Sequence, residues 1–255
     1  MSELIVRQIL VLRDNYVYLL HDQGSGATAA VDPSVAAPVL EALREAGWRL
    51  THILNTRHHA DHTGGNLELK EATGCVIVGP AADRARIPGI DVALADGESY
   101  DFAGHEARVL DVPGHTRGHI AFWFPDSRAL FCGDTMFLMG CGRLFEGTPA
   151  QMWKSLGKFK VLPADTRVYC GHEYTQANAR FALTVDPDNS ALHARAARID
   201  AMRAANQSTI PGTIGEELAT NPFLRADQQA LQAIAGAPGD PVATFAEIRR
   251  RKDVF

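Results

Sequence analysis

The chain has 255 residues, 46% of them hydrophobic and 22% charged, with a formal net charge of −5. That length suits one large domain, or a main domain with a smaller one. No apolar run approaches the ~18 residues of a bilayer span, and the acidic balance argues against nucleic acid, whose partners present clustered basic surface.

The first residues, MSELIVRQILVLRDNY, interrupt their apolar positions with charge and lead to no small-residue cleavage site. They do not read as a signal peptide, and the expected location is the cytoplasm. From there to about residue 172, short β-branched or aromatic runs bounded by Gly, Pro, Asp or Asn predict strands. They fall at residues 4–12, 16–21, 28–31, 52–55, 76–78, 107–112, 120–124, 129–132 and 167–170. Two helical patterns lie among them. APVLEALREAGW has apolar residues at helical spacing, with Gly47 placed to stop it. TPAQMWKSLGKF opens on a Thr cap, with Pro149 at the first helical position.

After about residue 172 the strand pattern stops. ALHARAARIDAMRAANQ, RADQQALQAIAG and PVATFAEIRRRK predict three helices. The expected organisation is an α/β domain over residues 1–172, followed by a small helical domain over 173–255. Cys75, Cys132, Cys141 and Cys170 form no CxxC pair; Cys75, Cys132 and Cys170 sit inside apolar runs, where buried thiols in a reducing compartment are the expected state. The RRRK run at 249–252 is short and terminal. It suits a small anion, or simply a solvated helix end whose cations interact favourably with the C-terminal dipole.

Chemistry-capable residues gather just after the predicted strands, where catalytic groups held by a rigid sheet tend to lie. NTRHHADHTGGN follows THIL, DVPGHTRGH follows EARVL, CGDTMF follows RALF, and CGHEYT follows TRVY. A lone His in such a place is usually a hydrogen-bonded or surface residue, and a GD pair is usually a turn. Convergence of His and Asp from four strand ends points instead to a metal. Neutral imidazoles and carboxylates suit zinc, iron or manganese.

TRHHADHTGGN resembles the HxHxDH motif of the metallo-β-lactamase superfamily, with its first His replaced, and PGHTRGH, GDTMF and GHEYT resemble the later ligand loops in the same order. More narrowly, GCGRLFEGTPAQM, NPFLR and the closing RRRKDVF are similar to glyoxalase II, the hydroxyacylglutathione hydrolases. The resemblance spans nearly the whole chain. It implies an αββα sandwich with a C-terminal helical glutathione-binding domain. It also implies hydrolysis of S-(2-hydroxyacyl)glutathione, S-D-lactoylglutathione above all, in methylglyoxal detoxification. Carried over by position, one metal would take residue 57, His59, His115 and Asp134, and the other Asp61, His62, His172 and a bridging Asp134. Glutathione would meet Arg143, Tyr174, Arg249 and Lys252. Position 145 is Phe, where some members have Tyr, so a hydroxyl contact is missing there. Two ions sharing a bridging water would generate hydroxide for attack on the thioester carbonyl. Asp111 and His119 are candidates to orient ligands. The expected partner is a small-molecule glutathione thioester, and a monomer is the expected state.

Arg57 departs from this pattern. Arginine stays protonated and has no lone pair to donate. At ~4 Å and an effective dielectric of ~20, two unit charges interact by ~4 kcal/mol, and a dication doubles that repulsion. The expectation is one metal at Asp61, His62, Asp134 and His172, with the other position weak or empty. The guanidinium should lie near Asp134 or the vacant position, where it could act as an electrophile. Other outcomes are an Arg57 turned to solvent beside a weakened first metal, a substituting His58, and a glutathione-thioester binding protein with little or no turnover. A different superfamily reaction, such as lactam hydrolysis or persulfide oxidation, is disfavoured only by the narrower motifs.

Overall fold

A computed structural model describes residues 3–255, which group into two compact units. The first runs to Asp111 and includes Arg117–Gly133; the second is Val112–Thr116 with Asp134–Phe255.

In the first unit one sheet has six strands in sequence order: β1 (Ile5–Val11), β2 (Asn15–His21), β3 (Ala27–Val31), β4 (Arg49–Leu54), β5 (Val76–Pro80) and β6 (Val92–Leu94). β1 to β3 pair antiparallel, and β3 to β6 pair parallel. The parallel steps carry the crossovers. α1 (Ala36–Ala46) joins β3 to β4, while the single turn α2 (Ala60–Thr63) and α3 (Asn66–Thr73) join β4 to β5. Val39, Ala42 and Leu43 of α1 and Leu69 of α3 pack with Leu19, Ala30, Ile53 and Ile77 of the sheet. This apolar burial is the main favourable term. Gly47 ends α1 at φ 68°, the left-handed position expected of it.

The antiparallel strands β7 (Ser99–Phe102), β8 (His105–Asp111), β9 (Ile120–Phe124) and β10 (Ala129–Gly133) complete the unit. Ring contacts between Tyr18 and Phe131, and between His52 and Phe102, join the two layers. β6 (Val-Ala-Leu) is only three residues long and β7 is largely polar, so neither offered the apolar runs that marked the other strands.

In the second unit, β11 (Met136–Phe137) and β12 (Gly140–Cys141) form a two-stranded ribbon. α4 (Pro149–Lys160) follows with the expected Thr148 cap, completed as a capping box by Gln151. β13 (Arg167–Cys170) leads to α5 (Thr175–Val185) and α6 (Ser190–Ala204). β14 (Gly212–Thr213) pairs with β13, so strand structure does not stop at residue 172 as expected. α7 (Ile214–Thr220), α8 (Gln229–Ala235) and α9 (Pro241–Asp253) close the chain. Asp240 caps α9 by accepting from the Ala243 N–H, and Pro241 takes the first helical position. All four cysteines are buried free thiols. No helix among the described residues is long and apolar enough to cross a membrane.

Candidate metal centre and substrate site

The loop leaving β4 carries the motif, and its own neighbours set its shape. The Asp32 carboxylate, just past β3, accepts from the Thr56 N–H (2.8 Å) and the Thr56 hydroxyl (2.7 Å). It also lies 2.9 Å from His62 Nδ1. Proton donation from Nδ1 to a buried carboxylate leaves the His62 Nε2 lone pair facing the site. Asn55 donates to the His62 carbonyl at 3.1 Å. Asn15 donates to the Asp61 carbonyl and to Asp61 Oδ2, both at 3.2 Å. His58 points elsewhere: its Nδ1 is 2.8 Å from Asp83 Oδ2, and Arg86 reaches its Nε2 at 3.1 Å. It does not stand in for the replaced ligand.

Arg57 is 1% exposed, so its side chain does not turn to solvent. Its Nη2 donates to His62 Nε2 at 2.6 Å, its Nη1 meets His59 Nδ1, and Asp61 Oδ2 lies 3.7 Å from Nη2. Burial above all, then the Arg57 charge, holds His59 down to about 4, so its imidazole is neutral near pH 7.

The second unit carries another histidine–carboxylate cluster. Asp134 Oδ2 is 3.7 Å from His115 Nε2 and 3.4 Å from His172 Nε2. His115 Nδ1 bonds the Arg143 carbonyl at 2.9 Å, which directs its Nε2 toward Asp134. The His172 ring stacks on Tyr174 at 4.8 Å, with Phe137 against its edge at 5.9 Å. The backbone is drawn tight here: a Cβ on Gly142 would fall 2.1 Å from the Asp134 carbonyl oxygen.

Of the residues expected to meet glutathione, Phe145 is 63% and Tyr174 38% exposed, whereas Arg249 is only 5% exposed. Arg249 Nη1 donates to the Cys141 carbonyl at 2.8 Å, and its Nη2 lies 3.1 Å from Asp253. Arg143 faces the same Asp253 oxygen at 3.7 Å. Lys252 lies 5.1 Å from both the Phe181 and Phe255 ring centroids. Burial, then Arg249 and Arg143, pushes its ammonium down to about 8.

Sequence reasoning missed Asp32 and Asp83. Asp32 nevertheless follows a strand end, as the other site residues do. Asp111 and His119, the candidate orienters, lie at the end of β8 and just before β9. The Asp111 N–H donates to Asp96, and buried His119 bonds the Ile120 carbonyl through Nδ1.

The donor chemistry of each cluster suits a divalent metal: Asp61 with His62, oriented through its distal nitrogen, in the first unit, and Asp134 with His115 and His172 in the second. Position 57 does not fit, because a guanidinium stands on imidazole lone pairs that a metal would need.

Residues 9–172 match the metallo-beta-lactamase superfamily model, and residues 173–255 match the hydroxyacylglutathione hydrolase C-terminus model. Hydroxyacylglutathione hydrolase of Methylococcus capsulatus is 64% identical over 98% of both chains. ETHE1 from Myxococcus xanthus superposes with a TM-score of 0.70 at 25% identity, covering 96% of this chain and 90% of that one. TTHA1623, solved in a di-iron-bound form, gives 0.60 at 25% identity over 86% of this chain and all of that one (100%). The family-model match over residues 9–172 and the mixed α/β fold define a metallo-β-lactamase superfamily protein. Within it, the chain belongs to the hydroxyacylglutathione hydrolases, thioester hydrolases of the glyoxalase II type.

Proposed function

We propose that the chain hydrolyses S-(2-hydroxyacyl)glutathione, with S-D-lactoylglutathione as its substrate in methylglyoxal detoxification, as a monomeric cytoplasmic enzyme. The observation carrying this is the pair of oriented histidine–carboxylate clusters, on strand-end loops of a chain 64% identical to a hydroxyacylglutathione hydrolase.

Asp61, His62, Asp134 and His172 would hold one divalent ion, with zinc favoured and iron or manganese compatible. When bound, such an ion lowers the pKa of water towards neutrality and polarises the thioester carbonyl. Asp32 keeps His62 in the ligating tautomer. His59 and His115 belong to a position that Arg57 weakens. Residues 173–255, with Arg143 and the exposed face of Phe145, would bind the glutathione moiety. Lys252 and Arg143 offer cations to its carboxylates, while Arg249, anchored on Cys141, braces them and pairs with Asp253. Tyr174 presents a phenol beside His172.

Steady-state turnover of S-D-lactoylglutathione with and without added zinc tests this; saturable, zinc-dependent hydrolysis is expected. One observation favours a second reading. Arg57 contacts His62, a ligand of the retained position, and this suits a protein that binds glutathione thioesters with little turnover. Saturable binding without metal-dependent hydrolysis would establish that alternative.

A further inference from the structure

The Arg57 guanidinium reaches donors assigned to both metal positions. His59 belongs to one, and His62 and Asp61 to the other; Nη1 meets His59 Nδ1, Nη2 donates to His62 Nε2 at 2.6 Å, and Asp61 Oδ2 is 3.7 Å away. A residue that merely failed to ligate could leave these donors to a metal. This one sits on them. The Asp32 bond to His62 Nδ1 adds to the effect: it turns the Nε2 lone pair inward, and the guanidinium is the group that lone pair meets. Burial of Arg57 at 1% exposure, with a carboxylate partner and two imidazole acceptors, gives the cation the surroundings a metal would otherwise have.

We infer that Arg57 is a resident cation of the motif loop, holding the donors of both metal positions in ligand geometry, so that a metal ion loads only by displacing it. This rests on the family reading of His59, Asp61 and His62 as ligands. It goes further than a missing ligand, because it makes the arginine a competitor at the retained position too.

Zinc affinity measured by chelator competition separates the two ideas. Arg57→Ala and Arg57→Leu add no ligand, and Leu also fills most of the vacated space. As a competitor, Arg57 predicts zinc binding at least tenfold tighter in both variants than in the wild type. It also predicts a chelator-induced fall in melting temperature that is smaller in the wild type than in zinc-loaded Arg57→His. Zinc binding no tighter in Ala and Leu than in the wild type would overturn the inference. Should both variants fail to fold, guanidinium-selective NMR of the wild type decides. Zinc must shift the Arg57 resonance out of its bonded environment, and an unmoved signal at saturating zinc refutes displacement. No turnover enters these measurements. A chain that shows the competition but hydrolyses nothing fails only the functional reading, and one that hydrolyses the thioester with Arg57 unmoved fails only this inference.

Discussion

Arg57 and His62 are joined by a 2.6 Å bond from guanidinium Nη2 to imidazole Nε2. The same imidazole is held from behind by Asp32 at 2.9 Å. The histidine is therefore oriented for a cation, and the cation it meets is an arginine. Retained donors and a competing charge on one loop are what set this chain apart from the metal-binding pattern of its superfamily.

Asp32→Asn removes the anionic acceptor that fixes the His62 tautomer while keeping size and one carbonyl oxygen. Zinc affinity at the Asp61/His62 position should fall by ~10–100-fold, the usual range for losing such a partner. Because Asp32 also accepts from the Thr56 N–H and hydroxyl, the melting temperature should fall as well. Chelator competition and thermal melts on one preparation read both effects; unchanged zinc affinity would remove Asp32 from its orienting role.

Lys252 predicts a pH dependence of substrate binding. Its ammonium is held down to about 8, first by burial and then by Arg249 and Arg143. Below that pH it is charged and attracts a glutathione carboxylate; as pH rises through about 8 the charge is lost. KM for a glutathione thioester should rise across that window, with kcat following its own profile. Lys252→Arg keeps the charge and should flatten the rise. A wild-type KM that is constant from pH 7 to 9 counts against a binding role for Lys252.

Gly118 lies against the buried Asp83 carboxyl that holds His58. A Cβ there would fall 2.3 Å from Asp83 Cγ. Asp83 is 1% exposed and paired with Arg86, so it has little room to yield. Gly118→Ala should destabilise the fold by ~1–3 kcal/mol, as other overpacked sites do. Denaturant unfolding measures it, and a change within ~0.5 kcal/mol, the level of an ordinary surface substitution, would show the contact to be easily relieved.

Much of this was legible in the chain itself, for identifiable reasons. Strands such as β2, β9 and β10 are apolar throughout or nearly so because both faces are buried, and their runs announce them. Gly47, Thr148 and Pro149 are local signals that act through backbone geometry alone, and each does what its position suggested. α5 and α7 were missed, the latter although its Thr213–Glu216 capping box lies in the sequence. Asp32 and Asp83 acquire their roles from partners 24 to 30 and 25 residues away, which no local pattern records. The misfit of Arg57 was readable, but its place was not. It reaches back onto His59 and His62 of its own loop, a pairing that needs the turn through α2 to bring the imidazoles round.

The most direct test is Arg57→His, with zinc content and S-D-lactoylglutathione turnover measured on the same preparation beside the wild type. The replacement restores a lone pair and removes the competing charge. An additional zinc equivalent per chain and faster hydrolysis are the predicted result. Two tightly held ions already present in the wild type, or no change in either quantity on substitution, would contradict the account.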